Sequence, residues 1–159
     1  MKKRFTPKNI AIVLVFLFLL IQSIRFEKTT EPFDAKKDFV ALSSPGTEVA
    51  NTLKAACYDC HSGQPVYPWY SNIAPISWWM QNHIDEGTRH LNFSIWGTYS
   101  DKKKDHKLEE CIEMVEEGEM PMVSYTWMHK GAKLSDEQKE NLVDFFRAQR
   151  SLIALPDAN

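Results

Sequence analysis

The chain has 159 residues, of which 43% are hydrophobic, 25% charged and 12% aromatic, so it fits one globular domain and is neither disordered nor collagen-like. Its three cysteines are too few for a disulfide scaffold, and the odd number leaves at least one thiol outside any pair. The net charge is −2, but after the first eight positions 15 basic residues face 21 acidic ones, which argues against a nucleic-acid-binding protein.

The first feature along the chain is an apolar run from Ile10 to Ile24, closed by Arg25 and preceded by basic residues. Those basic residues are Lys2, Lys3, Arg4 and Lys8. The pattern predicts a cytoplasmic N-terminus over 1–9 and a transmembrane helix over 10–25. The chain would then be a single-pass protein of the cytoplasmic membrane, with the remainder on the periplasmic side.

The apolar run is shorter than the ~20 residues of a usual membrane span, so a cleaved signal peptide is the alternative interpretation. Such a peptide ends in a small-x-small site, and Ile21-Gln22-Ser23 places a bulky residue at the first of these positions. This mismatch favours a retained anchor. Both interpretations export the rest of the chain.

Residues 26–46 mix charges, proline and small residues without a period, and we expect a tether there. Four helical patterns follow within a domain over 47–155. The first begins at Thr47 and runs into Cys57, the second runs from Ser77 to Gly87, the third ends at Gly118, and the fourth begins with a capping box at Ser135-Asp136-Glu137-Gln138. The fold class is therefore all-α, with loops long enough to wrap a prosthetic group.

The segment Cys57-Tyr58-Asp59-Cys60-His61 is a C-x-x-C-H motif, the signature of covalent haem c attachment. Two thiols three positions apart can reach the two vinyl groups of one porphyrin edge, and the next residue, His61, becomes the proximal iron ligand. A zinc site needs further ligands, and Cys111 alone is a poor one. A thioredoxin-type pair would follow a strand in a βαβ unit, and none is predicted.

The sixth iron ligand has two main candidates, Met120 and His129. Met120 stands between a helix end at Gly118 and Pro121, which stiffens the loop just after the thioether. His129 lies further along the same loop, and an open sixth position is the third alternative. Most of the remaining methionines and histidines are explained without iron, as core, cap, propionate-binding or solvated residues: Met80, Met114, His83, His90 and His106. Met122 and Met128 are the other methionines of this region.

Four segments together resemble the haem-binding domain family of exported C-x-x-C-H proteins: CYDCHSGQPVYPWYSNIAPISWW, NHIDEGTRHLNFSIW, EGEMPM and YTWMHKGAKLSDEQ. The similarity covers about Thr47 to Phe146, and the order of MP before LSDEQ also resembles small class I cytochromes c. The resemblance implies a cytochrome c-like helical domain around one haem, with Cys57, Cys60 and His61 as haem residues, and it favours Met120 as the distal ligand. The twelve residues between Pro121 and Leu134 depart from the small cytochromes and keep His129 open.

Further residues have both a structural and a functional interpretation. Several aromatic side chains either line the porphyrin or form ordinary core: Trp69, Tyr70, Trp78, Trp79 and Trp96. Arg89 and His90 could bind the haem propionates, and Cys111 is expected to be a buried, inert thiol. An acidic set could attract a basic redox partner or simply be solvated: Glu109, Glu110, Glu113, Glu116, Glu117 and Glu119.

Together these features predict a membrane-anchored monohaem c-type cytochrome that transfers single electrons on the periplasmic side, with the membrane and redox proteins as partners. It would be an electron carrier and not an enzyme, because no distal acid/base pair points to peroxidase chemistry. The alternative is a haem-based sensor or ligand-binding module whose sixth coordination site is weak or open.

Overall fold

A computed structural model describes residues 6–28 and 30–154, and in this part of the chain all regular secondary structure is helical. The all-α prediction is thereby confirmed. Lys2, Lys3, Arg4 and Leu155 lie outside the described residues. The helices are α1 (Pro7–Ile21), α2 (Phe39–Ser43), α3 (Thr47–Ala56), α4 (Tyr58–His61), α5 (Ile76–His90), α6 (Asp101–Glu116), α7 (Val123–Met128) and α8 (Asp136–Ala154), with short 3-10 helices at Trp69–Asn72, Phe93–Thr98 and Lys130–Ala132.

The first helix does not match the predicted transmembrane anchor. Helix α1 has 15 residues, and at ~1.5 Å per residue it is about 22 Å long, against about 30 Å for a hydrocarbon core. Directly after the helix, the Gln22 side chain accepts from the backbone N–H of Ala74 at 3.0 Å and donates to its carbonyl at 3.1 Å. None of the described helices is long and apolar enough to cross a membrane. The prediction of a transmembrane helix, and of a single-pass membrane protein based on it, was wrong.

The segment after α1, expected to be a tether, lies along the helical domain. Its backbone is mostly irregular, but hydrogen bonds join it to distant parts of the chain. These bonds link Trp78 Nε1 to the Ile24 carbonyl (3.0 Å), Lys28 Nζ to Ser71 Oγ (2.7 Å), Glu31 N to the Gly63 carbonyl (2.6 Å) and Gly97 N to the Lys37 carbonyl (2.8 Å). This stretch is therefore held against the surface that carries the C-x-x-C-H motif.

The core forms where α6 packs along α8, the most extensive helix pair in the fold. Helical spacing in the sequence predicts apolar faces on both helices, and six of these positions are buried: Leu108, Ile112, Val115, Leu142, Val143 and Phe146. Leu152, on the same predicted face of α8, is exposed. Phe39 of α2 completes this core. Its ring stacks on Phe93 with centroids 5.0 Å apart and meets Trp96 edge-on at 4.8 Å.

The predicted helix boundaries hold at α8 but not at α5. Ser135 Oγ accepts from the Gln138 backbone N–H at 3.1 Å, while Gln138 Oε1 accepts from the Ser135 N–H at 3.0 Å, so the capping box forms as expected. Gly87 was predicted to end the second helix, but α5 continues to His90. The glycine instead allows α5 to approach the backbone of the C-x-x-C-H segment closely.

We expect Phe39→Ala to lower the free energy of unfolding by about 3–5 kcal/mol, because it removes a fully buried ring from an aromatic cluster. Phe33→Ala is the matched control in the same N-terminal segment, since that ring is 60% exposed, and its effect should stay within about 0.5 kcal/mol. Urea unfolding of both variants measures the difference. If Phe39→Ala lowered the free energy of unfolding as little as Phe33→Ala does, the N-terminal segment would not be part of the cooperative fold.

Candidate functional site

The C-x-x-C-H segment forms one short turn of helix directly after α3. Cys57 ends α3, and its carbonyl accepts from the backbone N–H groups of Cys60 (3.2 Å) and His61 (2.9 Å). Cys57 comes directly before α4, and Cys60 and His61 lie on it, so these backbone hydrogen bonds gather the three residues into a single turn of the chain. The three predicted haem residues are therefore brought together locally.

The orientation of the His61 ring is set by two carbonyl groups. Its Nδ1 lies 3.0 Å from the Gly87 oxygen and 3.2 Å from the Leu91 oxygen. A carbonyl only accepts hydrogen bonds, so Nδ1 carries the proton and Nε2 keeps its lone pair. Burial lowers the pKa of His61 below its usual value, with the two carbonyl hydrogen bonds opposing this, so the ring stays neutral at physiological pH. This is the protonation state that a metal-binding imidazole requires.

Helix α5 reaches His61 because position 87 is a glycine. A Cβ at Gly87 would overlap the carbonyl oxygen of Cys60, so any larger residue would push the two helices apart. The close approach lets the Gly87 carbonyl accept from His61 and holds α4 against α5. This contact explains why a helix-breaking residue lies inside α5.

The two motif thiols are free and only partly exposed. Burial is the main cause that raises the pKa of Cys57 to about 12 and that of Cys60 to about 11, so both remain protonated at neutral pH. Within the described residues, no group of three or more His, Cys, Asp or Glu side chains could hold a metal ion. The zinc interpretation therefore finds no set of protein ligands in this part of the chain.

The two residues between the cysteines tie the motif to opposite ends of the sequence. Tyr58 is buried, and its hydroxyl donates to the Asp38 carboxylate at 3.1 Å and accepts from the Val40 N–H at 3.1 Å. Asp59 accepts from the Tyr125 hydroxyl at 2.7 Å through Oδ2 and from the Val66 N–H at 2.9 Å through Oδ1. Helices α2 and α7 are thus both bonded to α4.

Met120 lies on the turn that follows α6. Gly118 adopts a left-handed conformation with φ of 76°, which reverses the chain after the helix, and the Met120 N–H then donates to the Met114 carbonyl at 3.0 Å. The Met120 side chain is half-buried. Its backbone is therefore anchored to α6, as the expectation of a stiff loop requires.

His129, the rival ligand, has both ring nitrogens engaged. Nδ1 lies 3.1 Å from the Tyr125 carbonyl, and Nε2 lies 3.2 Å from the Tyr70 hydroxyl. The imidazole also stacks on the Tyr125 ring, with centroids 4.1 Å apart and an interplanar angle of 18°. The loop tyrosine Tyr70 and helix α7 hold this histidine between them.

A comparison with protein families decides what kind of domain this is. A family model described as a haem-binding domain matches residues 16–148, most of the chain. The chain belongs to the haem-binding domain family. The resemblance seen in the sequence is thereby confirmed, and haem binding with it. No curated protein and no solved structure matches this chain significantly.

The residues of this haem-binding domain fit a haem at the C-x-x-C-H turn. A neutral imidazole with a free Nε2 and two protonated thiols lie within five consecutive residues at this turn. Near this turn the domain exposes large apolar side chains that a flat porphyrin could cover. They belong to the loop after the motif and to α7: Val66 (75% exposed), Trp69 (75%), Val123 (62%), Trp127 (75%) and Met128 (63%).

The other residues singled out in the sequence are distributed over the domain. Trp96 is core, while Trp78 bonds the N-terminal segment. Arg89 and His90 are exposed at the end of α5 and both face Glu86, at 2.9 Å and 3.8 Å. Cys111 packs against the core, and burial raises its thiol pKa strongly, in keeping with the expected inert residue.

Sequence reasoning missed several residues that build this site. Asp38, Gly87 and Tyr125 lie far from the motif in the chain, and no local pattern marks them as its partners. Asp59 and Tyr58 stand inside C-x-x-C-H, but the motif leaves both positions open. Only the tertiary contacts assign them a structural task.

We expect Gly87→Ala to destabilise the protein by about 1–3 kcal/mol, because the added methyl group overlaps the Cys60 carbonyl. Without such a contact, replacing glycine by alanine inside a helix stabilises the protein by up to about 1 kcal/mol. A loss of stability in Gly87→Ala therefore indicates the close contact with Cys60. Gly131→Ala is the control, since a Cβ there meets nothing within 4 Å, and its effect should stay below about 1 kcal/mol. Urea denaturation measures both, and a neutral Gly87→Ala would contradict the close approach.

Proposed function

We propose that this haem-binding domain is a monohaem c-type cytochrome that transfers single electrons. Cys57 and Cys60 would form the thioether bonds to one haem c, with His61 as the proximal ligand and Met120 as the distal ligand. Bound there, the haem supplies a one-electron iron couple, and the chain supplies attachment, orientation and a dry environment.

The observation that carries the proposal is the state of His61. Its Nδ1–H is committed to the Gly87 and Leu91 carbonyls, which fixes the ring and leaves Nε2 as the available donor. Hydrogen bonding of the second ring nitrogen is what orients metal-ligating histidines in general. A histidine with this partner set, next to two free thiols in C-x-x-C-H spacing, favours covalent haem over the other interpretations.

The proposed pair of axial ligands supports electron transfer over catalysis. Met120 is anchored to α6 through its backbone, while both ring nitrogens of His129 are engaged elsewhere. With His61 and Met120 both bound, no coordination site is left for a substrate, so the chain is proposed as a carrier and not as an enzyme. A thioether ligand also raises the reduction potential relative to a second imidazole.

The proposed partners are other redox proteins, and the acidic face of α6 gives one argument about their charge. The acidic set comprises four glutamates of α6 and two that follow it, and three of the six are paired within the domain: Glu109 with Arg150 (3.2 Å), Glu110 with Lys107 (2.6 Å) and Glu116 with Arg147 (2.5 Å). The exposed glutamates Glu113, Glu117 and Glu119 remain as a smaller acidic area at the end of α6 that leads to Met120. Such an area would steer a basic partner towards this end of the domain.

We expect the protein to carry haem that acidified acetone cannot extract when it is produced in a host with haem c maturation. Cys57→Ala, Cys60→Ala and His61→Ala should each reduce covalent haem content severely. Cys111→Ala is the matched control, because it removes the third thiol outside the motif and should keep the haem. Extractable pigment in the unaltered protein, or equal losses in all four variants, would contradict covalent attachment through the motif.

Met120→Ala should convert the low-spin ferric spectrum to a high-spin one and lower the midpoint potential, because the thioether ligand is lost. Met122→Ala, two residues along the same turn, is the control and should keep the spectrum. Magnetic resonance and redox titration measure both properties. An unchanged Met120→Ala spectrum would exclude this ligand, and a five-coordinate unaltered protein that binds carbon monoxide readily would instead support the sensor interpretation.

A further inference from the structure

His129 is held in one tautomer by its two hydrogen bonds. The Tyr125 carbonyl can only accept, so Nδ1 of His129 carries the proton at 3.1 Å from that oxygen. Nε2 is then the acceptor, and the Tyr70 hydroxyl, 3.2 Å away, donates to it. The lone pair on Nε2, which an iron ligand would need, is therefore occupied by a tyrosine hydroxyl.

We propose that Tyr70 determines the identity of the sixth haem ligand, because its hydroxyl engages Nε2 of His129 and leaves Met120 as the remaining candidate ligand. The inference rests on the proposed function and deepens it. Tyr70 is a positioning residue in this role, since it acts on the site through His129.

His129 is close enough to the C-x-x-C-H turn for this competition to matter. Its ring stacks on Tyr125 at 4.1 Å, and the Tyr125 hydroxyl bonds the Asp59 carboxylate inside the motif at 2.7 Å. A single aromatic ring thus separates the imidazole from the haem-attachment segment. An imidazole at this place, with a free Nε2, would be a strong rival to a thioether for iron.

The donor itself is firmly placed. Tyr70 lies in the 3-10 helix Trp69–Asn72, where its carbonyl accepts from the Ile73 N–H at 3.0 Å and its ring meets Trp69 edge-on at 5.7 Å. Burial, and then the nearby Asp59 charge, raise the pKa of the Tyr70 hydroxyl, so it keeps its proton and remains a donor. The substitution Tyr70→Phe removes this hydroxyl and leaves the contacts of the ring in place.

The test compares Tyr70→Phe with the unaltered haem-loaded protein. We expect a second low-spin ferric species with two imidazole ligands in Tyr70→Phe, accompanied by a downward shift of the midpoint potential. The double variant Tyr70→Phe/His129→Ala should restore the original spectrum and potential, because the rival ligand is gone. Tyr67→Phe is the matched control in the same loop, since that hydroxyl donates to Gln81 at 3.2 Å, and it should change neither property.

The possible results separate this inference from the proposed function. A Tyr70→Phe protein with unchanged ligation and potential would overturn the role of Tyr70 and leave the cytochrome assignment standing. An unaltered protein already ligated by His129 would overturn the role of Tyr70 and the Met120 ligand but not the cytochrome assignment. An unaltered protein without haem would overturn the cytochrome assignment as well. Nitrogen magnetic resonance of the His129 ring gives an additional readout in the unaltered protein, where an Nε2-protonated ring would contradict the hydrogen bond from Tyr70.

Discussion

The hydrogen bond from His61 to the Gly87 carbonyl is the contact on which the rest of the site depends. It requires α5 to touch α4 at the Cys60 carbonyl, and only a residue without a side chain allows this approach. The bond fixes which ring nitrogen is protonated and hence which one can bind iron. The C-x-x-C-H motif specifies only which residues are present, and this contact orients the imidazole of His61.

The turn that carries the motif is also the junction of the fold. The motif leaves the identity of its two central residues unspecified, and here they bond different parts of the chain. Tyr58 bonds Asp38, which precedes the motif, and Asp59 bonds Tyr125 on α7, which follows it. Phe93 stacks on Tyr58 at 5.4 Å and continues the contact to the core around Phe39. The segment that would hold the haem is thus braced from the N-terminal stretch, the aromatic core and the distal loop, which suits a carrier whose ligand geometry should not change between oxidation states.

Much of the helical architecture could be predicted, because amphipathic spacing and capping are local properties. The buried residues of α6 and α8, such as Leu108 and Leu142, follow from their spacing, and the Ser135 capping box forms as expected. The N-terminal helix shows where such reasoning fails. An apolar run after basic residues suggests a membrane span, but the helix stops at Ile21 and is not long and apolar enough to cross a membrane. The next side chain, Gln22, bonds the backbone of Ala74. No local sequence pattern around Gln22 predicts its contact with Ala74.

The chain's own order of residues determined the chemistry of the site: two thiols and an imidazole within one helical turn, where contacts between neighbours along the chain suffice. The tertiary structure alone decided how those residues are held and that Tyr70 bonds His129. His61 and Gly87 are 26 residues apart, Tyr70 and His129 59, and Asp59 and Tyr125 66. Pairings over such separations arise from the packing of whole helices, so no local pattern could reveal them.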